Sequence, residues 1–175
     1  MRCTPGNLPT SSSTTPRRPW NAARRKPAEW TTAWADHIWQ GVSVEDARVL
    51  HRLDDLRACG AKVKFVSAEP LLGAWGADAN VTGLDWIIVG GESGNHMNAN
   101  PDRWMKQEWA REIKQLCLDA NVAYFYKQDS GIRTELRTWL VEADGSMWRW
   151  HQFPGDLTPP ILVDEKDEPL SPSDA

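Results

Sequence analysis

The sequence predicts an α/β domain: a partial (β/α) barrel of about four parallel strands with flanking helices, followed by a C-terminal β-hairpin. Two observations support this fold class. Short apolar segments alternate with segments of helical periodicity, which is typical of parallel strands joined by crossover helices. In addition, the segment at residues 86–89 (WIIV) is apolar on both faces, as a buried parallel strand should be.

The individual elements follow from local patterns. Four strands are predicted at residues 37–44, 62–67, 86–89 and 122–126. Apolar residues at helical spacing predict one helix after the first strand and another before the fourth. The second helix has a start signal at Asn100-Pro101-Asp102, and Asn121 is placed to end it. Asp144-Gly145 is a turn signal for the C-terminal hairpin.

Composition divides the chain into three parts. Residues 1–36 are predicted to be disordered or partly helical, and they hold six Lys or Arg against two acids, which leaves 20 − 6 = 14 basic and 24 − 2 = 22 acidic residues elsewhere. Residues 37–155 form the predicted partial barrel. Residues 156–175 are rich in Pro and acid and are predicted to be a disordered tail.

Several classes of protein have no support in this sequence. No apolar run approaches the roughly 20 residues that span a bilayer, and the N-terminus has no secretory h-region, so no membrane contact is predicted. Cys3, Cys59 and Cys117 have neither a disulfide nor a local metal spacing, which favours a reducing cytoplasm. Neither G-x-G-x-x-G nor a P-loop is present.

Polar or charged residues follow every predicted strand. Because the carboxyl ends of parallel strands meet at one edge of a sheet, these residues are expected to share one site. We predict catalytic roles for four of them: Glu45, Glu69, Glu92 and Lys127. Facing carboxylates repel unless a cation lies among them, and that cation is Lys127, a metal or the amino group of a substrate.

Glycines follow the third predicted strand in the segment Gly90-Gly91-Glu92-Ser93-Gly94. Glycine lets the backbone turn tightly and approach a ligand closely, and the amides exposed there can hold a carboxylate or a phosphate. The alternative is a tight turn without a ligand.

Four motifs in order carry a resemblance to a known family. They are residues 38–45 (IWQGVSVE), 65–73 (FVSAEPLLG), 85–94 (DWIIVGGESG) and 125–128 (FYKQ), and the hairpin at Gly145 follows them. Over about residues 37–155, the chain resembles the C-terminal half of a phage-encoded, radical-SAM-like family of unknown function, whose members are known by phage gene-product numbers.

The resemblance implies further properties. An intact member would hold a [4Fe–4S] cluster and S-adenosylmethionine through clustered cysteines in its N-terminal half; this chain has no such motif, so no cofactor is predicted for it alone. The partner would be the missing N-terminal half-barrel, and the location the cytoplasm of an infected bacterial host. Besides the four charged residues, the implied cofactor-binding residues at the barrel mouth are Ser43, Ser67, Gly90, Gly91, Ser93 and Gln128.

Two other functions stay open at this point. One is a metal-dependent barrel enzyme that uses Glu45, Glu69 and Glu92 as oxygen ligands. The other is a non-catalytic phage accessory protein whose basic N-terminal segment binds a host factor or nucleic acid. The substrate, a small molecule or a nucleic acid, is not determined by the sequence.

Overall fold

The computed structural model describes residues 34–94, 101–134 and 137–171. Its main feature is a parallel sheet in which the strands lie in chain order. The strands are β1 (Trp39–Ser43), β2 (Val63–Ala68), β3 (Trp86–Gly90) and β4 (Ala123–Gln128). Helix α1 (His51–Arg57) connects β1 to β2, and helix α2 (Gln107–Ala120) connects β3 to β4. The α/β class and the four parallel strands are therefore confirmed.

The sheet is open in the described part of the chain. Consecutive strand order is what a (β/α) barrel requires, but four strands do not close on themselves, and the barrel itself is not shown. At one edge, the segment around Trp150 runs antiparallel to β4: Tyr126 N donates to Trp150 O at 2.8 Å, and Gln152 N donates to Tyr124 O at 3.1 Å. At the other edge, β1 pairs only with β2 among the described residues.

One face of the sheet is a continuous hydrophobic core. Val66, Ile87 and Tyr124 have no exposed surface, and helices α1 and α2 pack their apolar residues into the same cluster. Tyr124 also joins the sheet to helix α2, because its buried hydroxyl donates to Ala110 O in α2 at 3.1 Å. A buried hydroxyl needs such a partner to offset its loss of water.

The opposite face carries aromatic rings, and we call it the aromatic face. Its rings belong to Trp39, Phe65, Trp86, Phe125 and Phe153. The ring of Trp86 is central and lies within 5.3–6.3 Å of the other four. None of the five belongs to the buried core cluster, and Trp39 and Phe153 are each 46% exposed. Among the described residues, no helix covers this face.

A second, antiparallel sheet follows the parallel one. It consists of β5 (Leu140–Val141), β6 (Met147–Arg149) and β7 (Ile161–Val163), in the order β5-β6-β7. The hairpin around Gly145 is thus confirmed, with Gly145 at φ +89° as its turn requires. The prediction that residues 156–175 form a disordered tail is wrong over β7, where Val163 is 1% exposed and pairs with Met147.

Helix α2 begins later than the sequence predicted. Pro101–Arg103 form a single 3₁₀ turn, and the α-helix starts at Gln107; Asn100 lies outside the described residues. The predicted end is confirmed, because Asn121 adopts a left-handed conformation with φ 55° and its N–H bonds back to the last turn.

Asp46 caps the turn that leads into α1. Its carboxylate accepts hydrogen bonds from Arg48 N at 2.9 Å and from the Arg48 guanidinium, and the residue is only 9% exposed. Hydrogen bonding to the Arg48 side chain lowers the pKa of Asp46 from its ordinary value of 3.8.

We predict that Asp46→Ala lowers the free energy of unfolding by about 1 kcal/mol at neutral pH, the usual value of such a cap. Because the folded pKa is depressed, this contribution is present above the unfolded pKa and is lost as pH falls through the folded pKa. Urea unfolding at pH 7 and pH 3 measures both effects. The control is Asp54→Ala, whose 84%-exposed side chain pairs with Arg57 and is expected to contribute less than about 0.5 kcal/mol; an equal loss in both variants contradicts the cap.

The basic N-terminal segment lies almost entirely outside the described residues, which begin at Trp34. Its predicted disorder, its contact with nucleic acid and the domain boundary at residue 36 therefore stay predictions. Within the described ranges, neither helix is long and apolar enough to cross a membrane.

Candidate functional site

The carboxyl edge of the parallel sheet brings Glu69 and Lys127 together. Glu69 directly follows β2, in a cis peptide bond with Pro70, and Lys127 lies near the end of β4. The Lys127 Nζ is 3.0 Å from Glu69 Oε1, and the two side chains are 50% and 21% exposed. An ion pair this accessible contributes little to stability, so both charges are available to a ligand.

Two glycines permit close approaches at this edge. A Cβ on Gly90 would lie 2.5 Å from Glu69 Oε1, and a Cβ on Gly91 would lie 2.3 Å from Ser130 N. The Gly91 backbone is held on both sides by Gln128: its N–H donates to Gln128 O at 3.0 Å, and its carbonyl accepts from Gln128 Nε2 at 3.2 Å. The glycines therefore have a steric role here, because they let neighbouring protein atoms approach closely. Their predicted contact with a cofactor stays a prediction.

The loops after β3 and β4 run side by side beyond the strands. Gly131 N donates to Glu92 O at 3.1 Å, and Gly94 N donates to Gly131 O at 3.0 Å. Ser130 is 5% exposed and accepts from Met105 N at 2.8 Å, which ties the loop to the segment before α2. These bonds extend the sheet edge and fix the base of the site.

The Glu92 carboxylate is paired with Arg103, a cation that the sequence pattern did not identify. Arg103 Nη2 donates to Glu92 Oε1 at 3.0 Å, and Arg103 Nε donates to the other carboxylate oxygen. Hydrogen bonding to Glu92, together with its negative charge, raises the pKa of Arg103. The two-point geometry orients the carboxylate more firmly than a single contact does.

These groups surround an open pocket of about 450 Å³. It is lined by Glu69, Pro70, Gly91, Glu92, Ser93, Lys127, Gln128 and Thr134. Two carboxylates, one amine and exposed backbone thus face one space. Such a pocket can bind a polar ligand that carries charges of both signs.

The structure brings together most, but not all, of the predicted site residues. The pocket is lined by Glu69, Gly91, Glu92, Ser93, Lys127 and Gln128. Gly90 does not line the pocket, but it lies directly against the Glu69 side chain. Glu45 does not line it: Arg52 Nη1 lies 2.9 Å from the Glu45 carboxylate and also donates to Ser43 O at 2.6 Å. Ser43 and Ser67 pair in register but likewise line no part of the pocket.

Three further residues at the site were missed by sequence reasoning: Arg103, Ser130 and Thr134. Ser130 follows the FYKQ motif by two residues, so its position after a strand was a usable signal. Arg103 had no such signal, because no local pattern links it to Glu92, eleven residues earlier in the chain.

The described residues offer no grouped ligands for a metal ion or an iron–sulfur cluster. Within residues 34–94, 101–134 and 137–171, no three His, Cys, Asp or Glu side chains are grouped to hold a metal ion. Cys59 and Cys117 are buried, and burial raises the pKa of the Cys117 thiol far above its ordinary value, so it stays protonated. The described cysteines therefore do not fit a [4Fe–4S] cluster.

Fold and pocket define an α/β protein with a charged pocket at the carboxyl edge of a parallel sheet. A family model described as "Protein of unknown function (DUF5131)" matches residues 13–154, and the chain belongs to that family. Searches of curated proteins and of solved structures find no match.

Proposed function

We propose that this chain forms the C-terminal part of a radical-SAM-like barrel enzyme of phage origin, acting in the cytoplasm of an infected bacterial host. In this proposal, Glu69, Glu92 and Lys127 line one side of the active-site mouth, and Arg103 orients Glu92. The four motifs that resemble such proteins support the ancestry, and the strand ends that converge on the pocket support the site.

The single observation that carries the proposal is the aromatic face, which no helix covers within the described residues. Parallel sheets are normally buried on both faces, because elements pack on each side. Here the second face carries exposed Trp39 and Phe153, and Lys127 lies on the same face by strand alternation from Phe125. In a barrel this face is the interior, so the charged pocket would open at the top of that interior.

The partner in this proposal is a set of β/α units preceding β1, the N-terminal half-barrel. It would pair with the open edge of β1 and bury the aromatic face. Any iron–sulfur cluster and S-adenosylmethionine site would depend on cysteines of that half, because the described cysteines of this chain do not fit a cluster. We therefore derive no chemical step for this chain alone.

A reconstitution experiment tests the proposal. The full chain is mixed with the cysteine-containing N-terminal half of a longer family member, and light scattering measures the mass of the product. We expect a one-to-one complex. A chain that stays unassociated at micromolar concentrations, while both parts remain folded by circular dichroism, would contradict the half-barrel.

The metal-dependent alternative makes a different prediction. Glu45 pairs with Arg52, Glu69 with Lys127 and Glu92 with Arg103, so each carboxylate already has a cation beside it. We predict that millimolar magnesium or manganese leaves the thermal midpoint within about 1 °C, since a ligand that does not bind cannot stabilise the fold. A dose-dependent rise of several degrees that Glu69→Gln abolishes would favour the metal enzyme instead.

A further inference from the structure

A second groove lies on the small antiparallel sheet, away from the charged pocket. It has a volume of about 490 Å³ and is formed by the β5–β6 hairpin and the residue before β7. Its lining consists of Glu142, Ala143, Asp144, Ser146, Trp148, Trp150 and Pro160. None of these residues takes part in the site proposed above.

The groove is aromatic at its base. Trp150 is 8% exposed and packs edge-on against Tyr124, with ring centroids 5.9 Å apart. Trp148 is half-buried, and its indole N–H donates to Ser146 Oγ at 2.9 Å, which fixes the ring orientation. Together with Pro160, these flat rings form a shallow, rigid surface.

The charges around the groove differ between its two ends. At the inner end, the Lys114 ammonium pairs with the Glu142 carboxylate and lies 5.5 Å from the centre of the Trp150 ring, so these charges balance. At the outer end, Asp144 is exposed, and its hydrogen bonds from Ser146 lower its pKa. The outer end is therefore negative at neutral pH.

Shallow grooves lined by aromatic rings are the surfaces that bind polyproline II segments of the P-x-x-P type. Such segments suit flat ring surfaces because the extended helix is preformed and loses little entropy on binding. A negative charge at one end of the groove favours a segment that carries Arg or Lys.

The chain contains such a segment outside the described residues. Residues 16–19 read Pro-Arg-Arg-Pro, a P-x-x-P motif with two arginines, and they fall inside the region that matches the family model. Fourteen residues lie between Pro19 and Trp34, and an extended chain of this length has a reach of about 50 Å. Trp34 N donates to Gly60 O near the start of β2, and Trp150 lies in the segment that pairs with the outer edge of β4. That segment is three strand spacings, or about 15 Å, from β2, which is well within this reach.

We propose that residues 16–19 bind in this groove of the same molecule as a polyproline II segment. Pro16 and Pro19 pack on Trp148 and Pro160, and the arginines face Asp144. The binding site is thus a peptide groove, and its ligand class is an arginine-containing proline-rich segment.

The indole N–H signal of Trp148 in a full chain labelled with ¹⁵N-tryptophan tests this contact. Its assignment comes from Trp148→Phe. We expect the signal to move in the full-length variant P16A/R17E/R18E/P19A, and to return towards its wild-type position when a synthetic peptide of residues 14–20 is added. An unchanged circular dichroism spectrum checks that the variant keeps the fold.

The control variant is Arg24→Glu with Arg25→Glu, which reverses two charges in the same N-terminal segment but outside the motif. It is expected to leave the Trp148 signal unchanged. Identical signals in wild type and the motif variant would overturn the proposal, as would an equal displacement in the control. A wild-type signal that shifts on tenfold dilution would assign the contact to a second copy and contradict binding within one molecule.

Discussion

Replacing Gly91 by alanine is expected to lower the free energy of unfolding by about 2 to 3 kcal/mol, the cost of forcing extra atoms into a packed region. The new Cβ would lie 2.3 Å from Ser130 N and 2.7 Å from Ser130 Cα. Backbone atoms cannot rotate away as a side-chain tip does, so the two loops must separate. Separation also breaks the paired bonds between Gly91 and Gln128 at the base of the pocket.

Gly83→Ala is the matched control for that variant. Gly83 has φ +80°, and a Cβ added there would have no neighbouring atom within 4 Å, so alanine meets backbone strain but no contact. Its expected cost is about 1 kcal/mol. Urea denaturation of both variants gives the comparison. Equal losses would mean that the close approach of the loops after β3 and β4 is not what Gly91 provides.

Charges on the aromatic face are expected to weaken assembly with the proposed N-terminal half. Trp39→Glu and Phe153→Glu each introduce a carboxylate at a 46%-exposed ring position. Truncating a central aromatic residue of an interface typically costs at least about 2 kcal/mol, which corresponds to a loss of affinity of about 30-fold or more. Calorimetric titration of the full-length variants with the N-terminal half measures this loss.

Leu118→Glu is the control for general surface effects. Leu118 is also 46% exposed, but it lies on helix α2, which packs on the opposite face of the sheet. Its variant is expected to bind the N-terminal half with unchanged affinity. If all three variants bind equally well, the aromatic face is not the assembly surface.

Local sequence patterns were sufficient to predict the four strands of the parallel sheet. The apolar runs of β2, β3 and β4 are short, rich in β-branched and aromatic residues, and followed at once by polar or glycine residues. These signals are carried by neighbours in sequence, so the fold class and the carboxyl-edge position of Glu69, Glu92 and Lys127 could be predicted. Because the strands are parallel, the polar residues that follow them lie at the same edge of the sheet.

Features that depend on distant contacts could not be predicted. Ile161–Val163 form β7 only because they pair with β6, and composition alone made this acidic, Pro-rich region resemble a tail. Membership of the site also depends on distant contacts. Glu45 follows a strand like the other two acids, but it pairs with Arg52 of α1 and does not line the pocket. Arg103 pairs with Glu92 although it lies eleven residues further along the chain, and no local sequence pattern indicates that contact.

Translation of the DNA upstream of the Met1 codon in all reading frames tests the proposal that this chain is one half of a barrel. We expect a closely spaced cysteine motif followed by two or three β/α units, encoded in frame or in a neighbouring frame. These units would supply strands for the open edge of β1 and a cover for the aromatic face. A stop codon preceded by unrelated coding sequence would overturn the half-barrel and leave the sheet without its proposed second half.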